Sequence, residues 1–374
     1  MVKGDIVMVP VDSEQHVRCL REYRKVLQST MGPSGSCKAI VTSGGYTDIA
    51  CTCKTLTSRL ELSSPICKYI NNIAAGHIDH GLYCAVLLCH LLEHQLLSED
   101  STKRKTEQEA MEVIFQQIKK LLISEYVCKS LCFDSVTNLI PVVRTVIVSK
   151  CGTFLSGMEV DGLCMEVIRV FINCVDEETN VVNKIHLKVE SGLNAFMSCK
   201  GLLYTVTESH HIEIASKILI SQAFAALRSV AAQPLLILGG GCLEIWLIGQ
   251  IHHIKEVWKD VEMSRVATWL QRSLQSTCYA VEMDTLYHHG WRETEVCCGC
   301  RLLNRQTVEQ QGGAWLSLQE VVSSEVNLSN PRQPEWTLRS DTIVEPQQQK
   351  HQVICDVFEA FANLSNIGLI VQEL

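Results

Sequence analysis

Leu235-Leu236-Ile237-Leu238-Gly239-Gly240-Gly241-Cys242-Leu243-Glu244 is the stretch on which the reading of this chain turns: a short apolar run ends on three glycines, and a helical pattern follows over 240–254. About two hundred residues earlier, Met31-Gly32-Pro33-Ser34-Gly35 punctuates the chain in a similar way after an amphipathic segment. Glycine-rich turns bring bare backbone N–H groups close to phosphate oxygens, and a helix starting just downstream adds a favourable dipole. Either cluster alone reads equally well as a tight turn, because Gly and Pro are the ordinary turn residues.

Outward from these turns the pattern is helical. Residues 14–28 carry Val17, Leu20 and Leu27 at helical spacing behind Asp12 and Ser13, and the pattern stops at Gly32-Pro33. Ala39-Ile40-Val41 leads into Gly44-Gly45, a hairpin-like break within a strand pair expected over 39–46. Residues 66–97 form a long apolar helical stretch interrupted between Gly76 and Gly81. Over 107–126, Met111, Ile114, Phe115, Ile118, Leu121 and Leu122 share one face opposite Gln116, Gln117, Lys119 and Lys120. Further helices are expected at 134–150, 157–175, 213–232, 262–282 and 350–365, and extended runs at 180–189 and 201–207. The fold class is therefore mainly α with small β elements, α+β.

With 374 residues, 47% hydrophobic and 20% charged, the chain can bury enough surface to offset the entropy of ordering. A net charge of −8 without a long basic stripe argues against a nucleic-acid phosphate-backbone binder. Lys103-Arg104-Lys105 reads as a solvated helix start. No apolar run approaches a membrane span, so a soluble protein is expected. Nineteen cysteines are an odd number and lie mostly in apolar stretches, as at Cys84, Cys89, Cys128, Cys132, Cys164 and Cys174. They read as small buried hydrophobes in a reducing compartment, with no signal peptide apparent. Cys297-Cys298-Gly299-Cys300 and Cys51-Thr52-Cys53 are close-spaced thiols without matching second half-sites, so no metal site is expected.

Taken in order, the motifs resemble the group II chaperonin family. They are the Gly32-Pro33-Ser34-Gly35 turn after the first helix, Asp79-His80-Gly81-Leu82-Tyr83 heading an apolar helix, and Gly239-Gly240-Gly241-Cys242-Leu243-Glu244 before another. Val344-Glu345-Pro346 then precedes a helix ending Leu364-Ser365-Asn366-Ile367-Gly368-Leu369. Gly44-Gly45-Tyr46, Cys298-Gly299-Cys300 with Asn304, and Ala362-Asn363-Leu364 place the resemblance in the divergent vertebrate chaperonin-like branch linked to the Bardet–Biedl and McKusick–Kaufman syndromes.

The resemblance implies a nucleotide site made of Gly32, Pro33, Gly35, Gly81, Gly239, Gly240, Gly241 and Glu345. It also implies three acidic positions that this chain fills otherwise. Thr52 stands where active members carry a carboxylate after the first hairpin. His80 stands where an Asp holds Mg²⁺, a hard cation for which imidazole is a poor ligand. Gln222 stands where an Asp positions the attacking water, and an amide cannot act as a general base. Asp79, shifted by one residue, does not replace the missing ligand. Hydrolysis of ATP needs a metal clamp and a group that orients water, so the expectation is not an enzyme, with ATP at most bound weakly and without turnover.

The resemblance also implies a divided architecture: equatorial residues 1–130 and 233–374, and intermediate residues 131–208 and 209–232. The family's apical domain is missing, because only about ten residues separate Lys200-Gly201-Leu202-Leu203-Tyr204 from the helix beginning near Ile212, too few for a domain. The function implied is that of a non-hydrolysing chaperonin-like assembly factor for a ciliary complex. Its implied partners are other chaperonin-like proteins, the cytosolic chaperonin and the complex's subunits, in the cytoplasm and at the centrosome or ciliary base. Two alternatives stand beside it: an ATP-dependent chaperonin subunit with an altered metal site, and a truncated isoform without independent activity.

Overall fold

The computed structural model describes residues 6–10, 14–32, 35–41, 45, 47–50, 52–77, 80–97, 104–124, 127–148, 157–174, 186–191, 195–199, 202–207, 210–257, 260–288, 338, 343–367 and 369–373. In chain order the elements are β1 (Ile6–Pro10), α1 (Glu14–Gln28), β2 (Lys38–Val41), β3 (Thr47–Ala50), α2 (Cys53–Arg59), α3 (Pro65–Gly76), α4 (Gly81–Leu96), α5 (Arg104–Leu122) and β4 (Lys129–Ser130). After a 3-10 turn (Val136–Asn138) come α6 (Ile140–Val148), α7 (Gly157–Cys174), β5 (His186–Ser191), β6 (Ala195–Cys199), β7 (Leu202–Thr207), α8 (His210–Ala232) and β8 (Leu235–Leu238). The chain continues with α9 (Cys242–Val257), α10 (Val261–His288), β9 (Val344–Pro346), α11 (Gln347–Ser365) and β10 (Leu369–Glu373). The described chain is mainly helical with small sheets, as the periodicity predicts.

One core is built around α4. Thirteen of its sixteen residues are buried, including Leu87, Leu88 and Leu91, which is what a helix apolar on nearly every face requires. It packs against α1, α3, α10 and α11. Polar bonds fix these neighbours in register. Tyr23 Oη donates to Asn71 Oδ1 at 2.9 Å, Gln28 Nε2 to Ser276 Oγ at 2.6 Å, and Ser365 Oγ to Gln95 Oε1 at 2.7 Å. Each fully buried leucine contributes about 1.5–3 kcal/mol by leaving water, and the hydrogen bonds select one arrangement among those that burial alone permits.

A second core joins α6, α7 and α8 through Val143, Ile147, Cys164, Ile168, Ala223 and Leu227. Between the two lies the three-stranded sheet β4-β8-β9. Strand alternation explains its sequence: Leu236 and Leu238 of β8 enter the second core, while Ile237 between them enters the first. A strand covered on both faces reads as an unbroken apolar run. Ile237 pairs with Glu345 of β9 across the ladder, so β8 delivers both the glycine turn at its end and Glu345 at its side.

Some elements differ from the sequence expectation. The hairpin's second strand is Thr47–Ala50, beyond the expected 39–46, with Gly45 at φ +78° in the connection. Helix α5 ends at Leu122 instead of 126, because Gln347 Nε2 donates to Leu122 O at 3.0 Å and Ser124 Oγ to Leu121 O at 2.6 Å, taking the carbonyls of the last turn. Strand β6 was not expected, nor was the pairing of β1 with β10 from opposite ends of the chain. Cys132 is exposed and Cys128 only half-buried, contrary to their reading as core residues, whereas Cys84, Cys89, Cys164 and Cys174 are buried. Burial pushes the Cys84 and Cys164 thiols up to about 12, leaving them protonated and unreactive at neutral pH. No helix among the described residues is long and apolar enough to cross a membrane.

Two predictions follow from this packing. Gly162 lies inside α7, and a Cβ built on it meets nothing within 4 Å. Gly162→Ala is expected to stabilise the protein by about 0.5–1 kcal/mol through helix propensity, seen as a higher urea midpoint. The second concerns pH. His90 is pushed down to about 3, first by burial and then by Arg24, and burial also lowers His16, His77 and His94. The unfolded chain, with ordinary histidines near 6.5, then binds more protons than the fold. Stability is full above that value and falls as pH drops toward 3, at roughly 1 kcal/mol per pH unit for His90 alone. Urea midpoints measured near neutrality and two units lower check the sign.

Candidate functional site

The glycine turn after β8 makes the head of the site. Gly240 and Gly241 have φ of +63° and +88°, a backbone that residues with a side chain rarely adopt. Gly239 N donates to Ile343 O at 3.0 Å. A Cβ on Gly239 would lie 2.9 Å from Glu345 Oε1 and 3.1 Å from Ile343 Cγ2, so the space released by this glycine is filled by the protein's own carboxylate.

Glu345 is part of a buried charge cluster. Lys350 Nζ lies 2.8 Å from Glu244 Oε1 in the first turn of α9 and 3.3 Å from Glu345 Oε2. The same ammonium sits 3.6 Å from the centre of the Tyr83 ring. Side-chain exposure is 5% for Lys350 and 3% for Glu244. Burial alone would push the lysine pKa down, but Glu244 and Glu345 outweigh it and hold it above the ordinary value. His80, at the N-cap of α4, brings Nδ1 to 3.8 Å from Glu345 Oε2.

The remaining sequence-derived positions have structural tasks that can be named. Thr52 caps α2: its Oγ1 accepts from Thr55 N at 3.2 Å, and its own N–H donates to Thr55 Oγ1 at 3.2 Å, a reciprocal capping box. A Cβ on Gly81 would meet Ala74 O at 2.3 Å and Cys53 Sγ at 2.4 Å, so Gly81 lets α4 start against the end of α3 and the beginning of α2. Gly35 N donates to Gly32 O at 3.2 Å in the turn that ends α1, where Gly32 has φ +80°. A Cβ on Gly35 would strike Thr30 O at 2.4 Å. Gln222 is buried on α8. Pro33, Asp79, Cys51 and Cys297-Cys298-Gly299-Cys300 lie outside the described residues.

The fold thus brings together Thr52 with Cys53, His80 with Gly81, Gly239 and Glu345, joined by the Cys53–Gly81, His80–Glu345 and Gly239–Glu345 approaches. Gly32 and Gly35 belong to the end of α1, and Gln222 to α8. Reading the motifs did not single out Lys350. Its signal is its place on the apolar stripe of α11 with Ile354, Val357 and Phe361, since a lysine there needs a counter-ion when the stripe is buried. No group of three or more His, Cys, Asp or Glu side chains able to hold a metal is found among the described residues.

Chemically, the cluster places two helix N-termini, those of α4 and α9, beside carboxylates supplied by the chain itself. Glu244 meets the positive end of α9, and Lys350 balances Glu244 and Glu345. A 176-residue stretch of the chain is 25% identical to the molecular chaperone MKKS of Pongo abelii and 24% identical to that of Homo sapiens, in each case over 45% of this chain and 30% of the relative. The mouse protein of the same name is 24% identical over 178 residues, 46% of this chain and 31% of its own. The chain is therefore distantly similar to a molecular chaperone and matches less than a third of these relatives' length. No family model matches it.

Proposed function

We propose that the chain is a chaperonin-like assembly factor that does not hydrolyse ATP, with equatorial segments 1–130 and 233–374 and an intermediate module at 131–208 and 209–232, and without an apical domain. The observation that carries this reading is the commitment to internal structure of positions that the resemblance assigns to the nucleotide site or to its replaced acids. Thr52 is a helix cap, Glu345 is held against Lys350 and His80, and the space above Gly239 is filled. The apolar clusters support the division of the chain, since the first draws on residues 20–122 and 237–364 and the second on residues 131–174 and 220–238 together with Val344.

Work by association rather than turnover fits the surface as well. The ribbons β1-β10 and β2-β3 are each two-stranded, with no third strand among the described residues. Val41 and Ile49 on the second are 68% and 45% exposed. Isolated two-stranded ribbons are marginal in water and gain from a partner strand. The partners proposed are other chaperonin-like proteins, cytosolic chaperonin subunits and subunits of a ciliary complex, met in the cytoplasm and at the centrosome or ciliary base.

The deciding experiment measures phosphate release from Mg²⁺–ATP by the purified chain, together with its thermal stability in ATP with and without Mg²⁺. Absence of turnover, with at most a small Mg²⁺-independent shift, is the expected result. Mg²⁺-dependent release that disappears in Asp79→Ala would establish the ATP-dependent subunit instead. A chain that aggregates without capturing any chaperonin-like partner would leave the truncated-isoform reading.

A further inference from the structure

Helix α7 turns Leu163, Val167 and Phe171 into the second core, while its opposite face carries Met158, Met165 and Ile172, which are 86%, 42% and 44% exposed. These three stand seven residues apart. With Asp161, Gly162 and Arg169, also exposed, they fall within about a third of the helix circumference. Single exposed apolar residues are ordinary on a protein surface, but three in a row make a stripe about 21 Å long, the form of a seam on which a second helix docks. Asp161 is bonded to Arg144 of α6 and Arg169 to Glu166 at 2.8 Å, yet their side chains remain 62% and 61% exposed. Arg144 takes one carboxylate oxygen of Asp161, and Glu166 takes one terminal nitrogen of Arg169. A carboxylate has about four lone-pair sites and a guanidinium five N–H donors, so both groups can still pair outward.

The stripe is its own complement. Reversed about Met165, position 158 falls opposite 172 and position 161 opposite 169. Met158 then meets Ile172 of a second copy, Met165 meets Met165, and Asp161 meets Arg169 on both sides of the centre. Gly162, beside that centre, has nothing within 4 Å of a Cβ built on it, which leaves room for the methionine of the other helix. The charges on this arc cancel, although the chain as a whole carries −8, so two copies can approach here without the repulsion their net charge imposes elsewhere. A helix of unrelated sequence would have to supply the same alternation of apolar, acidic and basic groups in reverse, whereas a second copy supplies it by symmetry.

We infer that α7 is the contact of an isologous dimer, in which two copies of this chain pack their α7 helices antiparallel about a two-fold axis at Met165. A seam with a seven-residue period packs at a shallow crossing angle of about 20°, which keeps the helices in contact along the whole stripe. One helix from each copy buries less than a standard interface, so the dimer is weak, half-associated on the order of 10–100 µM.

Sedimentation equilibrium of the full chain over roughly 1–200 µM tests this. A reversible monomer–dimer equilibrium is expected, and Met165→Asp, which sets two carboxylates against each other at the axis, should weaken it at least about tenfold. Met158→Glu, at the most exposed of these positions, repeats the test should Met165→Asp lower the urea midpoint. Asp161→Arg and Arg169→Asp should each associate less than the wild type, because like charges then face each other across the axis. Mixed together, the two variants should regain association, since every arginine then faces an aspartate. A chain that stays monomeric throughout overturns the proposal and leaves the stripe to a helix of other sequence. A dimer that neither Met165→Asp nor Met158→Glu weakens overturns the place of the contact, and variants that gain nothing on mixing overturn the antiparallel register.

Discussion

Lys350→Met should destabilise the protein by about 3–5 kcal/mol, the cost of leaving buried carboxylates without their counter-ion. The ammonium lies 2.8 Å from Glu244 and 3.3 Å from Glu345, with the lysine and Glu244 side chains almost wholly buried. Methionine keeps much of the volume and the contact with Tyr83 but removes the charge. Adding Glu244→Gln should recover part of the loss, because the remaining charge on Glu345 is less deeply enclosed, with 18% of its side chain exposed. Urea unfolding of the wild type, Lys350→Met and the double variant reads both effects. Equal midpoints for wild type and Lys350→Met would show that the cluster contributes nothing to stability.

Gly81→Ala is the second large effect, with an expected loss of about 2–3 kcal/mol. The new methyl would sit 2.3 Å from Ala74 O and 2.4 Å from Cys53 Sγ. The cysteine can turn aside, but the carbonyl belongs to the backbone at the end of α3 and can yield only if the helix moves. Cys53→Ala added to Gly81→Ala should therefore restore a minor part of the stability. Gly76→Ala, five residues earlier at a position where a Cβ meets nothing within 4 Å, should be neutral or slightly stabilising. The contrast separates a glycine required by close packing from one that merely ends a helix.

How far sequence can be read depends on whether a residue's task is local. Helix α1 forms over the 14–28 segment that its spacing predicts, and the break between Gly76 and Gly81 falls where the apolar pattern is interrupted. Periodicity is a property of neighbouring residues, so these features are visible without the rest of the chain. The glycine turn after β8 was legible for the same reason. Its occupant was not, because Glu345 reaches Gly239 from more than a hundred residues away. Nothing local marks Gln347 either, yet it is buried and donates to Leu122 O at the end of α5.

The sequence by itself determined the helical character of this protein and the positions of its tight turns, since each follows from residue type and short-range spacing. Only the tertiary structure decided that Lys350 lies between Glu244 and Glu345 and that β8 serves two cores. Those outcomes depend on which distant groups are brought together once water is excluded, and the energy of a charge or a packed side chain is set by those neighbours, whatever its place in the sequence.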